Sequence, residues 1–266
     1  MTKRSLVSLT ASIALALALS ACGGGSDSSG GGGDDLGTLT AGTLTVCSDV
    51  PYEPFDVAKG KTFTGFDGDV ITEIAKRLDL KVNLKDQSFD GLQSGLALNS
   101  NQCDIVASAM TITPEREKKI AFSEPYYDSE QSLLVAKGSP IKTIDDLAGK
   151  KVGVQQGTTG KTYTDENAPK TAKVVSFPAD PDMYSALLAG QVDALLQDLP
   201  VNLEHTKDGK YEVVQKYDTG EQYGFALRKK GSEKLLAAVN KELAAMKKDG
   251  SYQKIYDSYF KTDAAS

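Results

Sequence analysis

Five residues carry types and settings that could hold a small charged molecule: Arg116, Asp198, Asp49 and the pair Thr158-Thr159. A guanidinium gives a carboxylate two parallel hydrogen bonds. Arg116 follows Thr111-Ile112-Thr113, and the hydroxyl and amide of Thr111 could serve the same carboxylate. By composition alone Arg116 reads equally as a solvated charge among Glu115, Glu117 and Lys118. Thr158 and Thr159 fall where a strand pattern gives way to a helix. The first N–H groups of a helix are free and carry partial positive charge, so they can receive an anion; a simple N-cap is the other reading. Asp198 ends the apolar run Ala194–Gln197, where a carboxylate could accept from an ammonium or cap the helix through Leu199 and Val201. Asp49 ends an earlier strand similarly, suiting a polar or cationic group, a cap or a structural pair.

Other chemistries are excluded by what the chain lacks. Gly160-Lys161-Thr162 would complete a phosphate-binding loop only with glycine at 155, where Gln155 stands. His205 is the single histidine and no Cys-x-x-Cys spacing occurs, so a multi-histidine metal site is ruled out and no metal or cofactor is expected. The Gly-x-Ser-x-Gly hydrolase motif is absent. The net charge of −6, two units more negative without Lys3 and Arg4, argues against nucleic acid, whose phosphates need clustered Lys and Arg.

The elements that must position these residues alternate from Thr43 onward. Thr43–Cys47 reads as a strand. Val70, Ile71, Ile74, Ala75 and Leu78 keep helical spacing, with Asp69 as N-cap. Lys81–Leu84 is a second strand, Leu92 and Leu96 mark a second helix, and Asp104–Ser108 is a third strand. This βαβαβ rhythm predicts a parallel sheet. It restarts with the strand Lys151–Val154, a helix opening at Gly157-Thr158-Thr159, the strand Lys173–Ser176, a helix through Met183, Leu187 and Leu188, and Ala194–Gln197. Gln131–Ala136 and Tyr223–Leu227 are extended segments able to connect the two units. A long amphipathic helix through Leu235, Leu236, Val239, Leu243 and Met246 stops at Gly250, and an aromatic helix over 252–260 ends the pattern. The expected plan is two α/β domains, the second inserted into the first, with ligand in the cleft at the strands' C-terminal ends.

Lys3 and Arg4 precede an apolar stretch from Leu6 to Leu19, interrupted by Ser8, Thr10 and Ser12. It is short of the roughly 20 apolar residues of a membrane span and fits a signal-peptide core. Leu19-Ser20-Ala21-Cys22 resembles a bacterial lipobox, so residues 1–21 are expected to be removed and Cys22 lipidated. Residues 22–37, nearly all Gly, Ser and Asp, would form a flexible tether. Cys47 and Cys103 remain in the body. If their strands are neighbours a disulfide is sterically feasible; otherwise both are buried thiols.

Several stretches resemble the polar amino acid family of extracellular solute-binding proteins, family 3. They include Pro51-Tyr52-Glu53-Pro54-Phe55, Gly65-Phe66-Asp67-Gly68-Asp69 and Phe89-Asp90-Gly91-Leu92. Met110-Thr111-Ile112-Thr113-Pro114-Glu115-Arg116, Phe122-Ser123-Glu124-Pro125-Tyr126-Tyr127, Gly153-Val154-Gln155-Gln156-Gly157-Thr158-Thr159 and Leu188-Ala189-Gly190-Gln191-Val192-Asp193-Ala194 continue the series. The resemblance implies an α/β, two-lobed periplasmic-binding-protein-like fold of type II, with two parallel-sheet domains joined by two hinge crossings. Domain 1 would comprise 38–130 and 223–266, and domain 2 would comprise 131–222. It implies a ligand set of Asp49, Tyr52, Phe89, Ala109, Thr111, Arg116, Gln155, Thr158, Thr159 and Asp198. Tyr52 and Phe89 would be aromatic walls and Gln155 would tune specificity. Function would then be capture of a polar amino acid, such as glutamine or a basic one, by hinged closure for an ABC importer. The expected partners are the importer's membrane subunits and, through the lipid, the cell membrane, with the protein an extracytoplasmic monomer and no enzyme. A dehydratase-like enzyme and an amino-acid sensor on the same fold are the alternatives. Gly68 and Tyr259 depart from residues common in the family, Val or Ile and Trp respectively, away from the expected cleft.

Overall fold

The computed structural model describes residues 36–261; the expected signal peptide, Cys22 and most of the expected tether lie outside them. In chain order the elements are β1 (Thr43–Ser48), β2 (Val57–Lys59), β3 (Thr62–Thr64), α1 (Phe66–Arg77), β4 (Lys81–Asp86), α2 (Phe89–Gln93), α3 (Leu96–Asn99), β5 (Ile105–Val106), α4 (Pro114–Glu117), β6 (Ile120–Phe122) and β7 (Tyr127–Ala136). They continue with β8 (Lys151–Gln155), α5 (Thr159–Asn167), β9 (Lys173–Phe177), α6 (Asp180–Leu188), β10 (Ala194–Asp198), α7 (Leu199–His205), β11 (Tyr211–Tyr223), β12 (Ala226–Arg228), α8 (Glu233–Asp249) and α9 (Ser251–Phe260).

Two five-stranded sheets organise them, in the orders β4-β1-β5-β12-β6 and β11-β7-β10-β8-β9. Each contains the expected parallel trio, β4-β1-β5 in one and β10-β8-β9 in the other. Neither sheet is wholly parallel, which corrects the sequence expectation. β12 runs antiparallel to β5 and β6, and β7 runs antiparallel to β10 and β11. The chain leaves the first sheet by β7 and returns through β11, so these strands come as an antiparallel pair and β12 enters the first sheet against its neighbours.

Local differences have local causes. α1 begins at Phe66, a turn earlier than an Asp69 cap would set it, because Gly65 adopts φ 92° and brings the chain against Phe55, whose carbonyl oxygen lies 2.2 Å from where a Cβ would stand. Asp69 instead accepts from Thr64 and Tyr259. The helix expected through Leu92 and Leu96 is two helices, broken at Gly95 with φ 79°. Leu92 is buried while Leu96 is 65% exposed, so they share no stripe. The third strand shrinks to Ile105–Val106. Asp104 before it accepts backbone N–H groups of Thr45 and Leu39.

The two cores differ in kind. Beneath the first sheet, Phe55, Phe66, Tyr126, Tyr127, Tyr223, Phe225, Tyr256 and Phe260 form a continuous aromatic mass against aliphatic residues of β1, α1 and α8. The second sheet packs on Leu133, Val152, Val154 and Leu196 on one face and Leu134, Met183, Leu187 and Leu195 on the other. Each fully buried side chain of this size contributes about 1.5–3 kcal/mol. Cys47 and Cys103 form a disulfide, with Cα atoms 5.8 Å apart, that ties β1 to the approach of β5.

Candidate ligand-binding site

At the C-terminal ends of β1, β8 and β10 the two sheets face one small cavity. It is lined by all ten residues expected as ligand contacts, with Ser108 in addition. The parallel trios explain the convergence: a loop leaving a strand's C-terminal end opens into the gap between sheets.

Arg116 sits on α4, a single turn set by Pro114 and capped by Thr113, whose hydroxyl accepts the Arg116 backbone N–H. Its side chain is 5% exposed, which excludes the solvated reading. One guanidinium nitrogen donates to the Thr111 carbonyl at 2.7 Å, and the other reaches the Gly157 carbonyl of the opposite lobe at 3.0 Å. The guanidinium lies 5.2 Å from the centre of the Phe89 ring. Burial pushes its pKa down to about 10, against the opposing pull of Glu221 and Asp198, so it stays cationic near neutrality.

Thr158 is the N-cap of α5: its hydroxyl accepts the Lys161 N–H and donates to the Gln155 carbonyl. Thr159 opens the helix. Lys161 pairs with Asp165. Asp198 is the N-cap residue of α7 by position, but its side chain makes no capping bond. Its carboxylate accepts from Gln131 at 2.6 Å, Tyr223 at 2.6 Å and Tyr52 at 2.8 Å, the last across the cleft. Burial, reinforced by Glu221, raises its pKa to about 6 against those three bonds.

At the far end Asp49 accepts from the Gln155 amide at 2.5 Å, again across the lobes. The same amide donates to the Pro178 carbonyl, and the Asp49 backbone N–H donates to Ser108. Burial outweighs the Gln155 bond and raises the Asp49 pKa to about 6. Ala109 adopts φ 43°, an unusual angle for a residue with a Cβ. Its N–H donates to Asp67, which also accepts from Tyr126. Burial pushes the Asp67 carboxyl up to about 7.

Among the described residues lining the cavity, Arg116 is the one cation, set against Asp49 and Asp198. A carboxylate fits beside Arg116 and the start of α5, and an ammonium fits at Asp198. A cationic or polar group suits Asp49 and Gln155.

The model for bacterial extracellular solute-binding proteins, family 3, matches residues 44–262. The chain belongs to that family. The lysine/arginine/ornithine-binding periplasmic protein of Escherichia coli K12 is 36% identical over 231 residues, covering 82% of this chain and 87% of that one. Among solved structures, an ancestral arginine-binding protein bound to glutamine superposes with a TM-score of 0.77 at 40% identity, over 83% of this chain and 99% of that one. An ancestral amino acid-binding protein described as a precursor of cyclohexadienyl dehydratase gives a TM-score of 0.76 at 40% identity, over 82% and 96%. The two-lobed fold is thereby shown, and the named relatives are binding proteins.

Within this family 3 member two polar residues beside the cavity escaped sequence analysis. Gln131 and Glu221 lie on β7 and β11, the paired strands. The Thr111 hydroxyl, expected to serve a ligand carboxylate, donates instead to Glu221 at 2.8 Å. His205, for which the sequence offered no partner, stacks on Tyr184 at 3.9 Å and contacts Asp180 at 2.9 Å, in the second lobe. A Cβ at Gly68 would lie 3.0 Å from the Phe63 backbone, so a larger side chain there would require Phe63 to give by a few tenths of an ångström.

Proposed function

We propose that the protein captures a polar L-amino acid by closing its lobes, with a protonated side chain as the best fit, and delivers it to an ABC importer. The observation that carries this reading is the charge order in one cavity: Arg116 close enough to Asp198 to feel its charge, and Asp49 apart from them with Gln155. A free amino acid carries the complementary order, and a basic side chain adds the cation that Asp49 lacks. The division into domain 1 (38–130 and 223–266) and domain 2 (131–222) belongs to this reading, with contacts Tyr52–Asp198, Asp49–Gln155 and Arg116–Gly157 crossing the cleft. The ligand bridges these same groups, so its differential affinity favours the closed state. Lipidation at Cys22 would hold the monomer at the outer face of the cell membrane, where the importer's membrane subunits meet the closed form.

Calorimetric titration against the common L-amino acids tests the proposal, and suits a chain without tryptophan. Saturable one-to-one binding of arginine, lysine, ornithine, histidine or glutamine is expected. No heat with any amino acid, from folded protein stripped of ligand, overturns it.

A further inference from the structure

Glu221 is not among the residues lining the ligand cavity; with Thr219 and Glu166 it borders an adjoining open groove that shares Arg116, Thr158 and Thr159 with that cavity. Its carboxylate nevertheless gathers groups from every part that must move. The Thr111 hydroxyl, from the first lobe, donates to it at 2.8 Å. The Thr159 hydroxyl, from the second lobe, donates to the same oxygen at 2.8 Å. The Gln131 amide, on the partner crossing strand β7, stands 3.3 and 3.2 Å from its two oxygens. Thr111 and Thr159 are themselves 3.4 Å apart. Hydrogen bonds to an ionised acceptor are about twice as strong as neutral ones. Thr111 and Thr159 belong to different lobes, so the two bonds draw both lobes onto one carboxylate.

We propose that Glu221 is a ligand-independent clamp, a carboxylate on the chain crossing that favours the closed lobes by accepting a hydroxyl from each. The proposal rests on the hinged-closure reading and adds a residue that touches no ligand atom. Thr111 and Thr159 line the cavity beside Arg116, where every amino acid would place the same carboxylate, so these bonds do not depend on the ligand's side chain. Glu221 therefore sets the fraction of molecules in the binding-competent state, and apparent affinity for every ligand scales with that fraction. Selectivity stays with Asp49 and Gln155.

The test measures lobe separation without ligand. Spin labels at Lys61→Cys and Lys170→Cys, both exposed and on opposite lobes, report the distance distribution in a chain carrying Cys22→Ser with the Cys47–Cys103 disulfide intact. Glu221→Ala is expected to lower the closed-to-open ratio by roughly tenfold. Glu221→Gln, which keeps the shape and one acceptor oxygen, should fall between. Calorimetry should then show both variants losing affinity for arginine and glutamine by one common factor. Unchanged distance distributions, a more closed Glu221→Ala protein, or unequal losses for the two ligands overturn the clamp. If wild-type protein binds no amino acid, the functional reading fails by itself, and the distance comparison still decides the role of Glu221.

Discussion

The two ends of the cavity are built on different principles. At the Arg116 end the side chain is held by backbone carbonyls of Thr111 and Gly157, and the facing residues sit at the fixed start of α5. At the Asp49 end the polar side chains, Asp49 and Gln155, bond each other as well as backbone groups such as the Pro178 carbonyl. Backbone partners cannot change with sequence, whereas a side-chain pair can be exchanged at two positions without disturbing a strand or helix. The first end therefore suits the part common to all amino acids, and the second suits the part that differs.

The largest expected effect comes from breaking the backbone-held end. Arg116→Ala leaves a ligand carboxylate buried without its cation, a loss of about 3–5 kcal/mol or a factor of roughly one hundred to a few thousand. Calorimetry should find that every amino acid loses affinity by that factor, while circular dichroism shows the fold retained. Asp198→Asn should follow, at about 2–3 kcal/mol for any amino acid, since every ligand brings the ammonium. Retained affinity in either variant would remove the assignment of that end.

Asp49→Asn sharpens the contrast between the ends. It should cost a basic amino acid about tenfold, roughly 1.4 kcal/mol, and leave glutamine within about twofold. Equal losses would mean that the far end does not meet the ligand side chain.

The smallest effect is in pH dependence. Asp49 and Asp198 both have pKa values raised to about 6 in the folded protein, mainly by burial. A raised carboxyl binds its proton more tightly when folded, so its stabilising contribution is complete below about pH 3.8 and is lost as pH rises through about 6. From these groups, ligand-free protein should melt at a higher temperature at pH 5 than at pH 7. A ligand ammonium favours ionised Asp198, and a cationic side chain favours ionised Asp49 as well. Affinity should therefore rise from pH 5 to pH 7 for both ligand types, and by a further few-fold for arginine over glutamine. Parallel profiles would contradict the role given to Asp49.

What could be read from the sequence follows from how each residue is embedded. Asp198 and Asp49 end apolar runs, and Thr158-Thr159 stand where a strand pattern becomes a helix, so local pattern alone placed them at the sheet ends. Arg116 has no such pattern, and its burial depends on Phe89 and Gly157, distant in sequence and set in place only by folding. Glu221 was invisible for a related reason. It lies in the polar stretch 218–222, and its hydroxyl partners are 110 and 62 positions away. The antiparallel strands β7 and β12 were likewise legible as extended chain but not by direction, because direction is set by the order in which the chain crosses between sheets; β11 was legible only at its last residue, Tyr223.

That crossing order governs the assembly of the protein as it leaves the ribosome or the export channel. The second sheet is built from one continuous stretch, β7 to β11, and can complete its pairing once residue 223 has emerged. The first cannot: β12 lies between β5 and β6, so a central position stays vacant until residue 228 arrives, more than a hundred residues after its neighbours. The N-terminal portion must wait with two exposed strand edges for its missing member. Such non-local closure is slow, and it leaves the half made first as the half finished last.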